Sequence, residues 1–83
     1  MNVEEHNFNK NKTINIIIAD DHTIFLEGIT ALISSEYINV VANCKNGQEV
    51  LDFLKKQEVD LVISDINMPV MDGITLVKKI TKL

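Results

Sequence analysis

The sequence predicts an α/β fold in which helices connect the strands of a parallel sheet. Two observations carry this prediction. Short apolar runs rich in β-branched residues alternate three times with segments whose apolar residues recur at helical spacing, and the connections between them are short. Strands that alternate with helices pair in parallel through right-handed crossovers, so the pattern indicates consecutive βαβ units.

The three strands are predicted from their apolar runs. The first, INIIIA at residues 14–19, is typical of a strand covered on both faces. The second, INVVANC at 38–44, is more mixed, and the third is VDLVISD at 59–65. Because the first and third are the most apolar, we expect them to be neighbours, with the second outside. This order, 2-1-3, begins a flavodoxin-like doubly wound sheet, and the three strands make it a partial one.

The three helices are predicted from their caps and their apolar spacing. The first spans residues 22–34, the second follows the N-cap Asn46 with Glu49 as its capping-box partner, and the third starts at Asp72. Their expected buried residues are Phe25, Ile29, Leu32 and Ile33 in the first, Val50, Phe53 and Leu54 in the second, and Ile74, Val77, Ile80 and Leu83 in the third. Residues 14–83 therefore form the expected domain, preceded by a polar, Asn-rich tail at 1–13 that we expect to be disordered.

Composition excludes several classes of function. With 83 residues the chain can build one small core, and 8 Lys+Arg against 12 Asp+Glu give a net charge of −4. That balance disfavours nucleic-acid binding by this segment and a polybasic membrane anchor, and no apolar run approaches the roughly 20 residues that span a bilayer. The single Cys44 cannot form an internal disulfide, so we expect the protein to lie in the reducing cytoplasm. We expect Cys44 itself to be a small residue buried in the core.

Acidic residues follow two of the predicted strands. Asp20 and Asp21 end the first strand and Asp65 ends the third. Adjacent parallel strands lie about 4.8 Å apart, so these carboxylates should converge and repel one another. Taken separately, each acid has a simpler explanation as a helix cap or a turn residue. Together on neighbouring strand ends they favour a divalent cation, and oxygen ligands with room for water suit Mg²⁺.

The loop after the third strand supports the same interpretation. The main-chain carbonyl of Asn67 can point back at the metal, and Met68-Pro69 fixes the turn because Pro restricts itself and the residue before it. This leaves Asp65 as a carboxylate on a rigid loop, suited to attack a phosphoryl group.

At this point a family resemblance emerges. IIIADDHTIFLEG and ISDINMPVMDG resemble the receiver domain of two-component response regulators, over residues 14–83, and the opening resembles the subfamily with a LuxR-type helix-turn-helix output. The resemblance implies that Asp65 is the phospho-acceptor and that a sensor histidine kinase donates the phosphoryl group. It also implies that Asp21 ligates Mg²⁺ directly, Asp20 through water and Asn67 through its main-chain carbonyl. Such a domain is not an enzyme beyond self-catalysed phosphotransfer and autodephosphorylation.

The chain departs from the family pattern in its length. Family receivers have about five βα units, and this sequence holds three, so we expect a truncated domain. The hydroxyl and Lys positions that normally bind the phosphoryl oxygens have no counterpart, since Lys78, Lys79 and Lys82 lie on the third helix and complement its C-terminus.

Two other readings of the chain follow from this shortened pattern. One is a non-phosphorylatable interaction module that self-associates through an exposed third strand. The other is a nucleotide-binding fragment, which is disfavoured because the first strand-to-helix turn is ADDH instead of Gly-rich.

Overall fold

The computed structural model describes residues 13–83, and the expected disordered tail lies outside these residues except for its last position. Three strands form one parallel sheet in the order β2-β1-β3, which confirms the predicted topology. The elements in chain order are β1 Ile14–Ala19, α1 Thr23–Ile33, β2 Ile38–Cys44, α2 Gly47–Leu54, β3 Leu61–Ser64 and α3 Gly73–Ile80.

The sheet register brings the three strands to a common carboxyl edge. Ala19 of β1 lies opposite both Cys44 of β2 and Ser64 of β3. The ladder continues one residue further on each side. The Asp20 N–H donates to the Cys44 carbonyl at 2.9 Å, and the Asp65 N–H donates to the Ala19 carbonyl at 2.8 Å. Backbone hydrogen bonds therefore fix where both acidic residues leave the sheet.

Strand β1 is buried on both faces, as its continuous apolar run predicts. Ile16 and Ile18 pack with Leu26 of α1 on one face of the sheet. The opposite face packs against α2 and α3, and its buried residues are Ile17, Ala19, Cys44, Val50, Leu51 and Leu76. The fold is thus a central sheet with one helix on one side and two on the other.

The predicted buried face of α1 is partly wrong. Phe25 is 51% exposed and Leu32 is 81% exposed, whereas Leu26 is fully buried. Ile29 and Ile33 pack against the same cluster as Leu26. The buried stripe follows positions 26, 29 and 33, because the helix is rotated by about one residue from the predicted orientation.

The buried face of α3 also differs from the prediction. Leu76, which was not predicted, is the fully buried residue, and Ile80 packs partly against the core. Ile74 and Val77 are exposed because they line an open groove between α3 and β3, and Leu83 is exposed because the helix ends at Ile80. In α2 the prediction holds, since Val50 is buried and Phe53 and Leu54 pack partly.

Side-chain caps begin the second and third helices, as predicted. The Asn46 side chain accepts a hydrogen bond from the Glu49 N–H, and the Asp72 side chain accepts one from the Thr75 N–H. The Glu49 carboxylate reaches back to the N–H of Lys45, one residue before the cap. None of the helices within residues 13–83 is long and apolar enough to cross a membrane.

Strand β3 is an edge strand among the described residues. It spans Leu61–Ser64, which is shorter than the predicted 59–65, and Leu61 and Ile63 are half-exposed. These two residues lie opposite Ile16 and Ile18, so they share the face of the sheet that carries α1. Helix α1 covers β1 on this face and leaves β3 open to solvent.

The buried thiol of Cys44 gives a pH-dependent prediction. Burial, with a smaller contribution from the charge of Glu49, raises the pKa of Cys44 from 9.0 to about 11. The folded thiol therefore stays protonated where an unfolded one ionises, and roughly a hundredfold less thiolate forms at pH 8. We expect slow reaction with a disulfide reagent at pH 8, and fast reaction in guanidinium.

The same shift makes the free energy of unfolding depend on pH. Between about pH 9 and pH 11 the unfolded state loses the Cys44 proton and the folded state keeps it, so stability falls as the pH rises through this window. Denaturant titrations of the chain and of Cys44→Ala should differ in their slope with pH there. Equal reactivity of Cys44 in the folded and unfolded chains would contradict its placement in the core.

Candidate functional site

Four side chains meet at the carboxyl edge of the sheet. Asp20, Asp21, His22 and Asp65 each offer one ligand atom, and these atoms all lie within 4.8 Å of one another. The structure therefore brings together the three carboxylates singled out in the sequence. It adds an imidazole to them.

The two consecutive acids after β1 occupy different environments. Asp20 is buried, whereas Asp21 is exposed. Asp20 continues the ladder of β1 through its backbone, so its side chain lies at the top of the core. Asp21 begins the turn into α1. The pair thus offers one carboxylate from the floor of the site and one from its solvent side.

Asp20 and His22 form a close ion pair. The Asp20 carboxylate accepts a hydrogen bond from the His22 backbone N–H at 2.9 Å and lies 2.5 Å from the ring Nδ1. Burial would raise the pKa of Asp20, but the hydrogen bonds from the His22 ring and backbone and the charge of the ring outweigh it. The net effect lowers the pKa of Asp20.

His22 was missed by the sequence reasoning. Its ring lies 3.3 Å from an Asp21 oxygen as well as against Asp20, and its side chain is 71% exposed. The hydrogen bond that the ring donates to Asp20, then the charges of Asp21, Asp20 and Asp65, raise the pKa of His22. The signal was present in the sequence, because His22 directly follows the Asp pair at a strand end.

The loop after β3 presents Asp65. One oxygen of Asp65 accepts a hydrogen bond from the Ile66 N–H at 2.7 Å, which fixes the side chain over the start of the loop. Asn67 follows two residues later and is exposed. After Pro69 the chain turns sharply, with Val70 at φ 65°, a left-handed conformation that is uncommon for a β-branched residue. The Met71 N–H donates to the Pro69 carbonyl at 2.6 Å and closes this tight turn.

The donor set fits a hard divalent cation. Three carboxylates at this separation repel one another unless positive charge lies between them. Carboxylate oxygens are the protein ligands that Mg²⁺ prefers, and the exposure of Asp21 and Asn67 leaves room for coordinated water. The arrangement can hold a cation beside a nucleophilic carboxylate, which is a combination suited to phosphoryl chemistry.

Comparison with known proteins identifies the family. The model of the response regulator receiver domain matches residues 16–83, which is most of the chain. The chain belongs to the response regulator receiver family. The flavodoxin-like arrangement predicted from the strand order is the fold of this receiver, and the resemblance on which the sequence analysis relied is confirmed.

Three relatives illustrate the match. The transcriptional regulatory protein LnrK of Bacillus subtilis is 44% identical over 82% of this receiver. A protein-glutamate methylesterase/protein-glutamine glutaminase of Photobacterium profundum is 36% identical over 86%. The solved structure of RcsB from Salmonella enterica serovar Typhimurium, bound to promoter rprA with the phosphomimetic BeF3-, matches 86% of the chain with a TM-score of 0.74 and 39% identity. RcsB is a regulator of the LuxR type, as the opening motif suggested.

The receiver spans only a part of each of these proteins. It covers 31% of LnrK, 18% of the methylesterase and 42% of the RcsB chain. The shared region is the receiver, which is common to regulators with different activities. The methylesterase activity is therefore a property of that relative, and the match concerns its receiver.

Two glycines hold the loop of this receiver that carries Asp65. Gly73 donates its N–H to the Ile66 carbonyl at 2.8 Å, and a Cβ at Gly73 would lie 2.3 Å from the Asp65 carbonyl oxygen. Gly47, at the start of α2, donates its N–H to the Met71 carbonyl at 2.9 Å, and a Cβ there would lie 2.9 Å from the same oxygen. Both helix starts therefore clamp the loop by close backbone contact that no side chain would permit.

Substitution of Gly73 tests this clamp. We expect Gly73→Ala to lower the free energy of unfolding by about 2–3 kcal/mol, because the added methyl overlaps backbone atoms that cannot give way. The amide signals of the Asp65 loop should shift in NMR spectra. Gly28 in α1 is the matched control, since a Cβ there meets nothing within 4 Å. Gly28→Ala should raise stability by up to about 1 kcal/mol. If Gly73→Ala is as stable as the parent chain, the clamp does not exist.

Proposed function

We propose that this receiver accepts a phosphoryl group on Asp65 from a sensor histidine kinase, with Mg²⁺ held at the acidic site. The observation that carries the proposal is the convergence of Asp20, Asp21 and Asp65, whose carboxylate oxygens lie within 4.8 Å of one another in a chain of this family. If these acids served only as helix caps or turn residues, Asp65 would not need to lie on a loop that Gly47 and Gly73 hold in place.

Mg²⁺ would be held by the carboxylates of Asp20, Asp21 and Asp65 and by the main-chain carbonyl of Asn67. The ion supplies positive charge that offsets the negative charge gathered around the acceptor. Lys78 and Lys79 lie in the last turn of α3, where they complement the negative end of the helix dipole. We assign them no role in the transfer.

In the proposed transfer, one oxygen of Asp65 attacks the phosphorus of a phosphohistidine. The new P–O bond forms as the P–N bond breaks, and the released imidazole nitrogen keeps the electron pair and takes up a proton. The product is an acyl phosphate on Asp65. The hydrogen bond from the Ile66 N–H to one Asp65 oxygen fixes the side chain, so the other oxygen can be directed at the donor.

The relatives support a regulatory setting for the whole protein. LnrK is a transcriptional regulatory protein, and the RcsB structure contains promoter DNA. We propose that the parent protein regulates transcription in the cytoplasm and that DNA is bound by an output domain outside this segment. The net charge of −4 is consistent with DNA binding by another domain, because this segment has more acidic than basic residues and DNA binding favours a basic surface. The receiver then acts as a phospho-acceptor with self-catalysed transfer and autodephosphorylation.

Phosphorylation can be measured by intact mass. Incubation with Mg²⁺ and acetyl phosphate should give a species about 80 Da heavier, the mass of one phosphoryl group. Asp65→Asn should abolish this species, because the amide is not a nucleophile for the transfer. Asp52→Asn is the matched control, since Asp52 lies on α2 and hydrogen-bonds Gln48. It should be labelled like the parent chain.

Two results would contradict phosphorylation at Asp65. One is the absence of the adduct under conditions that label a longer receiver from the same family. The other is an adduct that persists in Asp65→Asn. Adding hydroxylamine gives a further check, because an acyl phosphate is cleaved by it and a phosphoserine or phosphothreonine is not.

A second candidate function, self-association, rests on the edge strand β3 and the groove beside it. Leu61 and Ile63 are half-exposed on this strand. Beside it a groove of about 480 Å³ runs between β3 and α3, and its apolar walls include Val62, Ile74 and Val77. An apolar edge strand with free backbone groups pairs readily with another strand. We propose that a second copy of the chain covers this surface, so that the receiver self-associates.

Light scattering after size exclusion tests the self-association. We expect a concentration-dependent mass above the 9.4 kDa of one chain. Ile63→Lys should shift the chain towards the monomer, because a charged residue on an edge strand opposes strand pairing. Ile24→Lys is the control, since Ile24 is exposed on α1 and does not belong to the edge strand. A monomer of 9.4 kDa at all concentrations would exclude this function.

A further inference from the structure

The two edges of the sheet differ in how well they can accept another strand. The register of β2 against β1 shifts between Ile16 and Ile17, and Val41 is left as an extra residue of β2. Such a bulge twists an edge strand and interrupts its row of free backbone groups. Strand β3 pairs with β1 without a shift in register. Among residues 13–83, the regular free edge of the sheet is therefore β3.

The free backbone groups of β3 belong to Val62 and Ser64. The Asp65 N–H donates to a carbonyl of β1 at 2.8 Å. Successive residues of a strand turn their N–H and C=O groups to opposite sides, so Leu61 and Ile63 bond to β1 as Asp65 does. The backbone groups of Val62 and Ser64 therefore point outwards, where no strand of the described part of the chain meets them.

Apolar side chains remain uncovered on both faces of β3. On the face that carries α1, Leu61 and Ile63 are 51% and 44% exposed. On the other face, Ile74 and Val77 of α3 are exposed along the groove that Val62 also lines. A strand that pairs with β3 therefore buries apolar surface above and below its backbone, in addition to forming the missing backbone hydrogen bonds.

We infer that two copies of the chain pair their β3 strands in opposite directions about a two-fold axis at Val62, which sets Leu61 of each copy opposite Ile63 of the other. The inference deepens the self-association proposed above and rests on it. In this register the two Val62 residues exchange their free N–H···O bonds across the axis, and the half-exposed side chains cover one another as cross-strand pairs. The pairing is closed, because each copy uses its one regular edge, and the product is a dimer.

The neighbouring registers bury less apolar surface. Directly opposite residues of an antiparallel pair lie on the same face, so the strands can shift only in steps of two residues. One such shift pairs Val62 with Ser64 and brings Leu61 opposite the charged Asp65. The opposite shift leaves Leu61 facing itself as the single pair within the strand. Of these registers, the one centred at Val62 pairs all three apolar residues of β3.

The distribution of charge favours the antiparallel direction over the parallel one. Each carboxyl edge carries the acidic site, and parallel pairing would place the two acidic sites side by side, where they repel. Helix α3 runs back along the sheet, so its last turn with Lys78 and Lys79 lies towards the amino edge. That edge is mixed in charge, since it also carries Glu58 and Asp60. Antiparallel pairing places the acidic edge of each copy beside the mixed edge of the other.

Disulfide cross-linking measures the register. Leu61→Cys and Ile63→Cys chains, both with Cys44→Ala, are mixed in equal amounts in a glutathione redox buffer, and one of the two carries a heavy-isotope label. Intact mass then separates the mixed dimer from the two dimers of like chains. In the inferred register Leu61 and Ile63 form a non-hydrogen-bonded pair with Cα atoms about 4.5 Å apart, which suits a disulfide. Like residues lie diagonally, at about 7–8 Å, which is too far for a bridge.

We expect the mixed dimer to exceed each dimer of like chains roughly tenfold, because pairing gives the facing thiols a high effective concentration. Ile24→Cys is the matched control, since Ile24 is exposed on α1. Mixed with Leu61→Cys, it should show no such excess. Both positions on β3 are half-exposed, so these substitutions leave the core intact. The mixture is repeated with Cys44 retained, because its buried thiol does not react in the folded chain.

The outcomes separate the register from the self-association itself. An excess of the Ile63→Cys dimer or of the Leu61→Cys dimer means a shifted register and overturns the inference. Equal formation of all three dimers, or an equal excess with Ile24→Cys, also overturns it. In each case a concentration-dependent mass in light scattering would leave the self-association standing. If the parent chain is a monomer at all concentrations, another partner covers this edge and both proposals fail.

Discussion

The pairing of β1 with β3 is the interaction on which the site depends. The Asp65 N–H bonded to the Ala19 carbonyl sets Asp65 beside Asp20, because both residues leave the sheet at the same level. Side chains alternate along a strand, so a slip of one residue in this register would turn Asp65 to the other face and exchange the buried and exposed residues of β3. The geometry of the acidic site is therefore decided by strand register before any side chain of the site makes a contact.

The register is held by the burial of β1. Ile16 and Ile18 on one face and Ile17 on the other are almost completely buried, and fully burying such a side chain contributes about 1.5–3 kcal/mol. Gathering like charges at the end of this strand opposes folding, and the apolar run before them offsets that cost. Asp20 is the buried acid and makes the shorter of the two contacts with the His22 ring, so the least hydrated carboxylate also has the closest partner.

The sequence predicts the sheet more fully than the helix faces. The bounds of β1 and β2 agree with their apolar runs, because polar residues end those runs abruptly. In α1, apolar residues fit two stripes, one through Phe25 and one through Leu26, and spacing alone cannot choose between them. The choice depends on how the helix is tilted against β1, which is set by packing and the turn before it.

The residues of the site also differ in how far the sequence predicts their positions. Convergence of Asp20, Asp21 and Asp65 follows from parallel strands, and so it was predictable. The role of Gly73 was not, because its contact with the Asp65 carbonyl arises only once α3 is docked. His22 lies between these cases. Its place in the sequence was visible, but the direction of its ring depends on the backbone dihedral angles of the turn.

Asp65 lies where the acidic site meets the open edge, so the two candidate functions are physically connected. The groove between β3 and α3 has Val62 and Val77 on its walls and is also lined by Asp65 and Lys78. A strand that pairs along β3 therefore ends beside the carboxylate that is proposed to accept the phosphoryl group. Because one loop carries Asp65 and borders the groove, a partner that fills the groove limits the approach of a phosphodonor. The two proposed functions would therefore compete for one surface, since Asp65 directly follows the edge strand β3.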